Sequence, residues 1–261
     1  MRPLIYAIAA FFLIQSAGSC AVPNQRVHID SESDLTYVVM SDTVPSQIVE
    51  YEGYRVSFNS ELHIPNWAVW ELTGEEAQGD EPRYNKFWED DAVKGCASPD
   101  DYKYSGYDRG HMAPAGDMKW NDEAMRHSFS MANICPQAKQ LNTGAWNKLE
   151  SKCRQRAKAD SVVVIVCGPV PSPSVIAHIG TTGVAVPEAF FKVVLSPFTD
   201  PPRGIGFIMP NHKVKGGMQA CAMSIDEVEA ITGYDFFSAL PDDIETQVES
   251  TANFHRWSII P

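Results

Sequence analysis

An α+β fold is what the sequence predicts, on three observations. A continuous Val/Ile run from Ser161 to Cys167 reads as a strand buried on both faces. Two more apolar segments, Phe190–Leu195 and Gly204–Met209, follow it and end at Pro197 and Pro210, again as strands. Helix signals interrupt these strands at irregular intervals, so the repeating strand–helix alternation of a parallel α/β sheet is absent. The chain has 261 residues, with no internal repeat and no low-complexity linker, and this favours one large domain.

Taken in order, the first twenty residues read as an export signal. Arg2 is followed by an apolar stretch from Leu4 to Ile14, too short to span a bilayer, and then by the small residues Ser16, Ala17, Gly18 and Ser19. The run ends on Cys20, which resembles the lipidated cysteine of bacterial lipoproteins, although Ala17 stands where a Leu is usual. A lipid anchor at Cys20 would hold the protein to a membrane of the bacterial envelope; ordinary cleavage near Ala21 would leave it periplasmic or secreted. Residues 21–50 are polar and punctuated, and read as a tether. The dense signal of a folded domain runs from 51 to 261. Tyr54–Phe58 and Trp67–Leu72 alternate in the manner of strands, and Gly74–Arg83 is an acidic loop. Ser224 and Glu227 form a capping box that opens a helix ending at Gly233, and Pro241 opens a last short helix.

Acids outnumber bases 33 to 21, for a net charge of −12. Alone, that argues against binding a polyanion. Charge is unevenly distributed, however. Between Lys139 and Lys158 six bases meet the single acid Glu150, a local +5. Five cysteines follow Cys20, an odd number with no CxxC or CxxxH spacing, so at least one thiol is free or shared between chains and a structural zinc site is not expected. Cys167, inside the Val/Ile run, reads as a small buried hydrophobe.

Two segments carry chemistry. Asn142, Trp146, Glu150 and Arg154 recur every four residues in a stretch rich in good helix formers, which predicts one helix from Asn142 to about Lys158 with those residues on a drifting stripe. Trp146 reads as a packing anchor. On spacing alone, a surface helix with a Glu150–Arg154 pair is the favoured reading. The other segment is Asp108-Arg109-Gly110-His111. If extended, it points Arg109 and His111 to one side, where a fixed cation favours the neutral imidazole a general base needs. A core histidine beside an Asp108–Arg109 pair is the alternative. Gly110 permits close approach of a backbone or ligand.

Together these segments resemble the sugar-non-specific DNA/RNA endonuclease family, the group that includes mitochondrial endonuclease G. Its Asp-Arg-Gly-His box, its Asn-x-x-Pro-Gln stretch (Asn133, Pro136, Gln137) and its Asn-x-x-x-Trp-x-x-x-Glu element (Asn142, Trp146, Glu150) occur here in order. Weaker similarity runs from about Tyr51 to Phe237, including Pro187 to Lys192. The resemblance implies a ββα-metal (His-Me finger) fold with a central antiparallel sheet and flanking helices. It implies His111 as general base and Asn142 as the direct ligand of one Mg²⁺, or Mn²⁺ in its place. Glu150 would hold metal-bound waters, Arg109 would contact the reacting phosphate, and Arg154 and Arg83 would bind substrate, with Asn133 and Gln137 in support. The partners implied are DNA and RNA backbone phosphates, cut to leave 5′-phosphates. The competing expectation is a catalytically silent surface lipoprotein that binds nucleic acid or a partner on the same scaffold.

Overall fold

The computed structural model describes residues 34–172 and 174–259. Its strands are β1 (Val38–Val39), β2 (Gln47–Tyr51), β3 (Tyr54–Asn59), β4 (Ile64–Thr73), β5 (Asp108–His111), β6 (Ile134–Gln137), β7 (Val162–Pro169), β8 (Ala177–Ile179), β9 (Val184–Val186), β10 (Ala189–Ser196), β11 (Arg203–Pro210), β12 (Ala222–Met223) and β13 (Asp235–Phe236). The helices are α1 (Asp122–Ser128), α2 (Asn147–Asp160), α3 (Ile225–Thr232), α4 (Asp242–Glu249) and α5 (Phe254–Ser258). Seven strands form one sheet in the order β12-β11-β10-β7-β4-β3-β2, every neighbouring pair antiparallel. This is the expected α+β architecture with a central antiparallel sheet.

Both faces of that sheet are covered, which is why its central strands read as unbroken apolar runs. Successive side chains alternate between faces. Val163, Ile165 and Cys167 of β7 join Ala68, Trp70 and Leu72 of β4 in one core, while Val164 and Val166 join Trp67 and Val69 in the other. The first core lies beneath α2 and the β5–β6 hairpin; the second lies beneath α3 and α4. Cys167 is a buried small hydrophobe as expected, and none of the five cysteines in the described residues is disulfide-bonded. The Ser224–Glu227 capping box is formed on both sides, and Gly233 ends α3 in the left-handed conformation at φ 70°.

Three elements differ from expectation. Residues 34–50 are not a tether: Val38 and Val39 pair with Phe236 and Asp235, and Gln47–Tyr51 forms the edge strand against β3. Leu35 and Val38 bury at the second core, so even sparse apolar positions suffice to dock this segment. The stretch from Asn142 is not one regular helix. Leu141–Trp146 forms a wider turn in which Gly144 takes φ −106° and ψ −109°, and α2 proper begins at Asn147. Glycine tolerates that non-helical backbone at low steric cost. A further helix, α5, follows α4. The residues read as an export signal, Cys20 and the expected tether up to residue 33 lie outside the described residues.

Candidate active site

The Asp-Arg-Gly-His segment is extended, as β5, and pairs antiparallel with β6, Gly110 opposite Cys135. A Cβ on Gly110 would stand 2.5 Å from Gln137 Oε1. The glycine is therefore required by the Gln137 side chain packed across it. Strand geometry sends Arg109 and His111 to the same side, and both line a cavity of about 310 Å³. The turn before α2 brings Asn142 to the cavity, α2 brings Glu150 and Arg154, and the loop after β4 brings Arg83. All six residues singled out for catalysis, metal or substrate thus share one wall-lined space. Asn147 and Thr143 also line it and were not singled out from the sequence.

His111 is 9 % exposed, its ring packed edge-on against Phe129 at 4.9 Å and tilted against Phe87 at 5.3 Å. Its Nε2 is sealed from solvent without a partner. Burial first, then the charge of Arg83, pushes its pKa down to about 3. The imidazole is held neutral as the sequence suggested, but the cation acting on it is Arg83 rather than the neighbouring Arg109. Arg83 itself rests over the Phe129 ring at 4.9 Å. Arg109 is aimed by a bond from Nη2 to the Pro99 carbonyl at 2.6 Å and by the rings of Phe87 and Tyr102, with Nε left unpartnered.

Asp108 takes no part in an Asp–Arg pair. Its carboxylate accepts from Asn142 Nδ2 at 3.0 Å. Because an ionised carboxylate only accepts, the amide nitrogen must face it, and Asn142 Oδ1 is left without a partner among the described residues. Asn133, fully buried, spends its amide on the Ala113 backbone in both directions and on the Ser128 carbonyl, stapling the chain after β5 to the chain before β6. It supports the site without entering it.

Glu150 makes no ion pair with Arg154, so the surface-pair alternative fails. Arg154 Nη1 instead donates to the buried Asp117 at 2.7 Å, and Nη2 to Ser151. Asp117 also accepts from Trp70 Nε1 at 3.1 Å. A Cβ on Gly116 would press on Arg154 Nη1 at 2.7 Å, so that glycine makes room for the guanidinium. The +5 stretch is not one phosphate patch either. Arg156, 1 % exposed, is ion-paired to Asp160 and bonds the carbonyls of Trp257 and Ile259, while Lys152 bonds that of Ser258. These bases pin the C-terminal segment, and the positive charge at the cavity comes from Arg83, Arg109 and Arg154 on three separate elements.

One buried group was missed. Lys192 of β10, 0 % exposed, lies between the indoles of Trp146 (4.5 Å) and Trp70 (5.1 Å) with no hydrogen-bond partner on Nζ. It is the leading charge acting to keep Glu150 ionised, against a burial that pushes this carboxyl up to about 7. The signal was visible: a lysine inside the apolar run Phe190–Leu195, on the face that period 2 assigns to the first core.

A divalent ion fits this donor set. Asn142 Oδ1 is a pre-aimed neutral oxygen with its amide nitrogen tied down, and Glu150 is a partly buried carboxylate on the same wall. Hard oxygen donors few enough to leave most positions to water suit Mg²⁺.

Comparisons with known proteins follow this geometry. The sequence model of a family described as DNA/RNA non-specific endonuclease matches residues 31–243. The mitochondrial nuclease EXOG of Mus musculus is 33 % identical over 73 % of this chain and 56 % of its own length. Nuclease C1 of Cunninghamella echinulata is 33 % identical over 76 % of this chain and 84 % of its own. A crystal structure of an EndoG/EndoGI complex, concerned with the mechanism of EndoG inhibition, superposes with a TM-score of 0.71 at 27 % identity, over 75 % of this chain and 87 % of that one. The chain spans just over half the length of the EXOG nucleases it matches.

Proposed function

The chain belongs to the DNA/RNA non-specific endonuclease family, a divalent-metal-dependent family of nucleases, and from that premise we propose that it is an exported endonuclease hydrolysing phosphodiester bonds of DNA and RNA. His111 is the general base and Asn142 the one direct protein ligand of a Mg²⁺ ion. The observation that carries the reading is the orientation of Asn142 by Asp108 within the cavity that also holds a neutral His111.

Phosphodiester hydrolysis must activate a water, offset charge on the phosphoryl oxygens and support the departing oxygen. When bound, the metal would supply charge neutralisation at the phosphate. A neutral imidazole takes the attacking water's proton. Arg109 meets the reacting phosphate with a guanidinium already fixed by Pro99 and two rings, so little reorganisation is needed as charge develops. Arg83 and the tethered Arg154 hold flanking phosphates. Glu150 would hold the waters of a bound ion. The cavity is lined by three arginines, which fits recognition of backbone phosphates with loose sequence preference. Export rests on Arg2, the apolar Leu4–Ile14 stretch and Cys20.

A plasmid-nicking assay with and without EDTA tests the activity. Cleavage of DNA and RNA that EDTA abolishes is expected. A folded, metal-loaded protein that leaves both intact supports the silent binding lipoprotein instead.

A further inference from the structure

On the far face of the sheet, away from the cavity, α3 and α4 bring carboxylates together. Asp226 and Glu229 stand three residues apart on one side of α3, and Glu249 is the last residue of α4. One oxygen from each lies within 4.8 Å of the others. The three are graded in depth: Asp226 is exposed, Glu229 is half-buried, and Glu249 is 6 % exposed. Glu249 Oε1 is sealed from solvent with no hydrogen-bond partner among the described residues. Glu229 is held in place by the Phe236 backbone N–H, which donates to its Oε1 at 2.8 Å.

Nothing local neutralises this group. Neither α3 nor α4 carries a base in its last turn. The end of α4, where Glu249 sits, is the negative end of the helix dipole. The charges acting on Glu249 are those of Glu229, Glu245, Asp226 and Asp235, acids all. A buried carboxylate oxygen with neither donor nor counter-charge is costly, and a cation would supply both.

We propose that Asp226, Glu229 and Glu249 form a second divalent-cation site, separate from the catalytic cavity, that takes Ca²⁺. Three carboxylates on one ion suit Ca²⁺, whereas Mg²⁺ keeps most of its waters and is held through one or two. The all-carboxylate set suits a hard ion, and the exposed Asp226 side leaves room for the waters that complete its shell. Bound there, the ion clamps α3 to α4 over the second core.

The test is thermal unfolding of the EDTA-stripped full chain in an Asn142→Ala background, so that the catalytic cavity contributes no metal response. At pH 8, Ca²⁺ at about 100 times its dissociation constant should raise Tm by roughly 5–10 °C. The Glu229→Gln/Glu249→Gln variant should show no shift. Asp226→Asn changes only an exposed side chain and keeps the test open if the double variant does not fold; it should weaken Ca²⁺ binding at least tenfold. A chain unmoved by Ca²⁺, or an equal shift in these variants, overturns the site.

Discussion

His111 is a base made by burial. Aromatic packing and Arg83 together keep it neutral down to about pH 3, so the acid limb of a pH–rate profile belongs to another group. The same depression has a cost in stability. Between about pH 6.5 and 3 the unfolded chain binds a proton that the folded chain refuses, so stability falls as pH drops through that window. His111→Asn should therefore lose less Tm between pH 7 and pH 5 than the native protein, while its cleavage rate falls at least ~10²-fold. Glu150 behaves in the opposite sense. With its carboxyl up at about 7, protons compete with the metal below that pH, and the Mg²⁺ concentration for half-maximal rate should climb as pH falls from 8 to 6. Lys192→Met removes the leading charge that keeps Glu150 ionised; it should raise half-saturation at pH 7 several-fold, with the native value recovered at pH 8.5. An unchanged pH dependence would show that Lys192 only packs.

At the scale of elements, the site is two short structures made precise by their neighbours. The β5–β6 hairpin keeps its register because Gly110 leaves space for Gln137. Gly110→Ala should destabilise the protein by about 1–3 kcal/mol, and adding Gln137→Ala should recover most of that loss, as denaturant midpoints would show. The turn before α2 departs from helix at Gly144, so the every-fourth-residue stripe that links Asn142 to Glu150 in the sequence is not what joins them in space. Asp108 orients Asn142 from the β5 strand, and Glu150 reaches the same cavity from α2. Asp108→Ala leaves the hairpin pairing intact but frees the amide, and should raise the Mg²⁺ requirement with little change in fold.

At the scale of the molecule, a net charge of −12 surrounds a cavity whose bases are Arg83, Arg109 and Arg154. Phosphate binding then depends on about three cations. Binding of a short duplex to the His111→Ala protein, followed by anisotropy, should fall with salt at a slope near −3 on a log–log plot, well short of that of a broad basic surface. The central strands were legible in the sequence because a sheet covered on both faces must be apolar throughout. The hairpin and α2 residues were legible because their spacing carries the chemistry. Asp117 and the hold of Asp108 on Asn142 were not, since each acts through partners 34 or more residues away; Lys192 stood out inside its apolar run, but the indoles that flank it are just as remote in sequence. The edge strand at Gln47–Tyr51 was missed for a related reason: it is exposed on alternate positions and docks through β3 rather than through its own apolar content.

A neutral imidazole and an amide oxygen serving one divalent ion can be tested directly by a Mg²⁺ titration of plasmid cleavage. Native protein, Asn142→Ala and His111→Ala would be compared at pH 8. Asn142→Ala should raise the half-saturating Mg²⁺ concentration at least tenfold, whereas His111→Ala should lower the maximal rate and leave half-saturation near the native value. Native half-saturation in Asn142→Ala, or undiminished cleavage by His111→Ala, would contradict it.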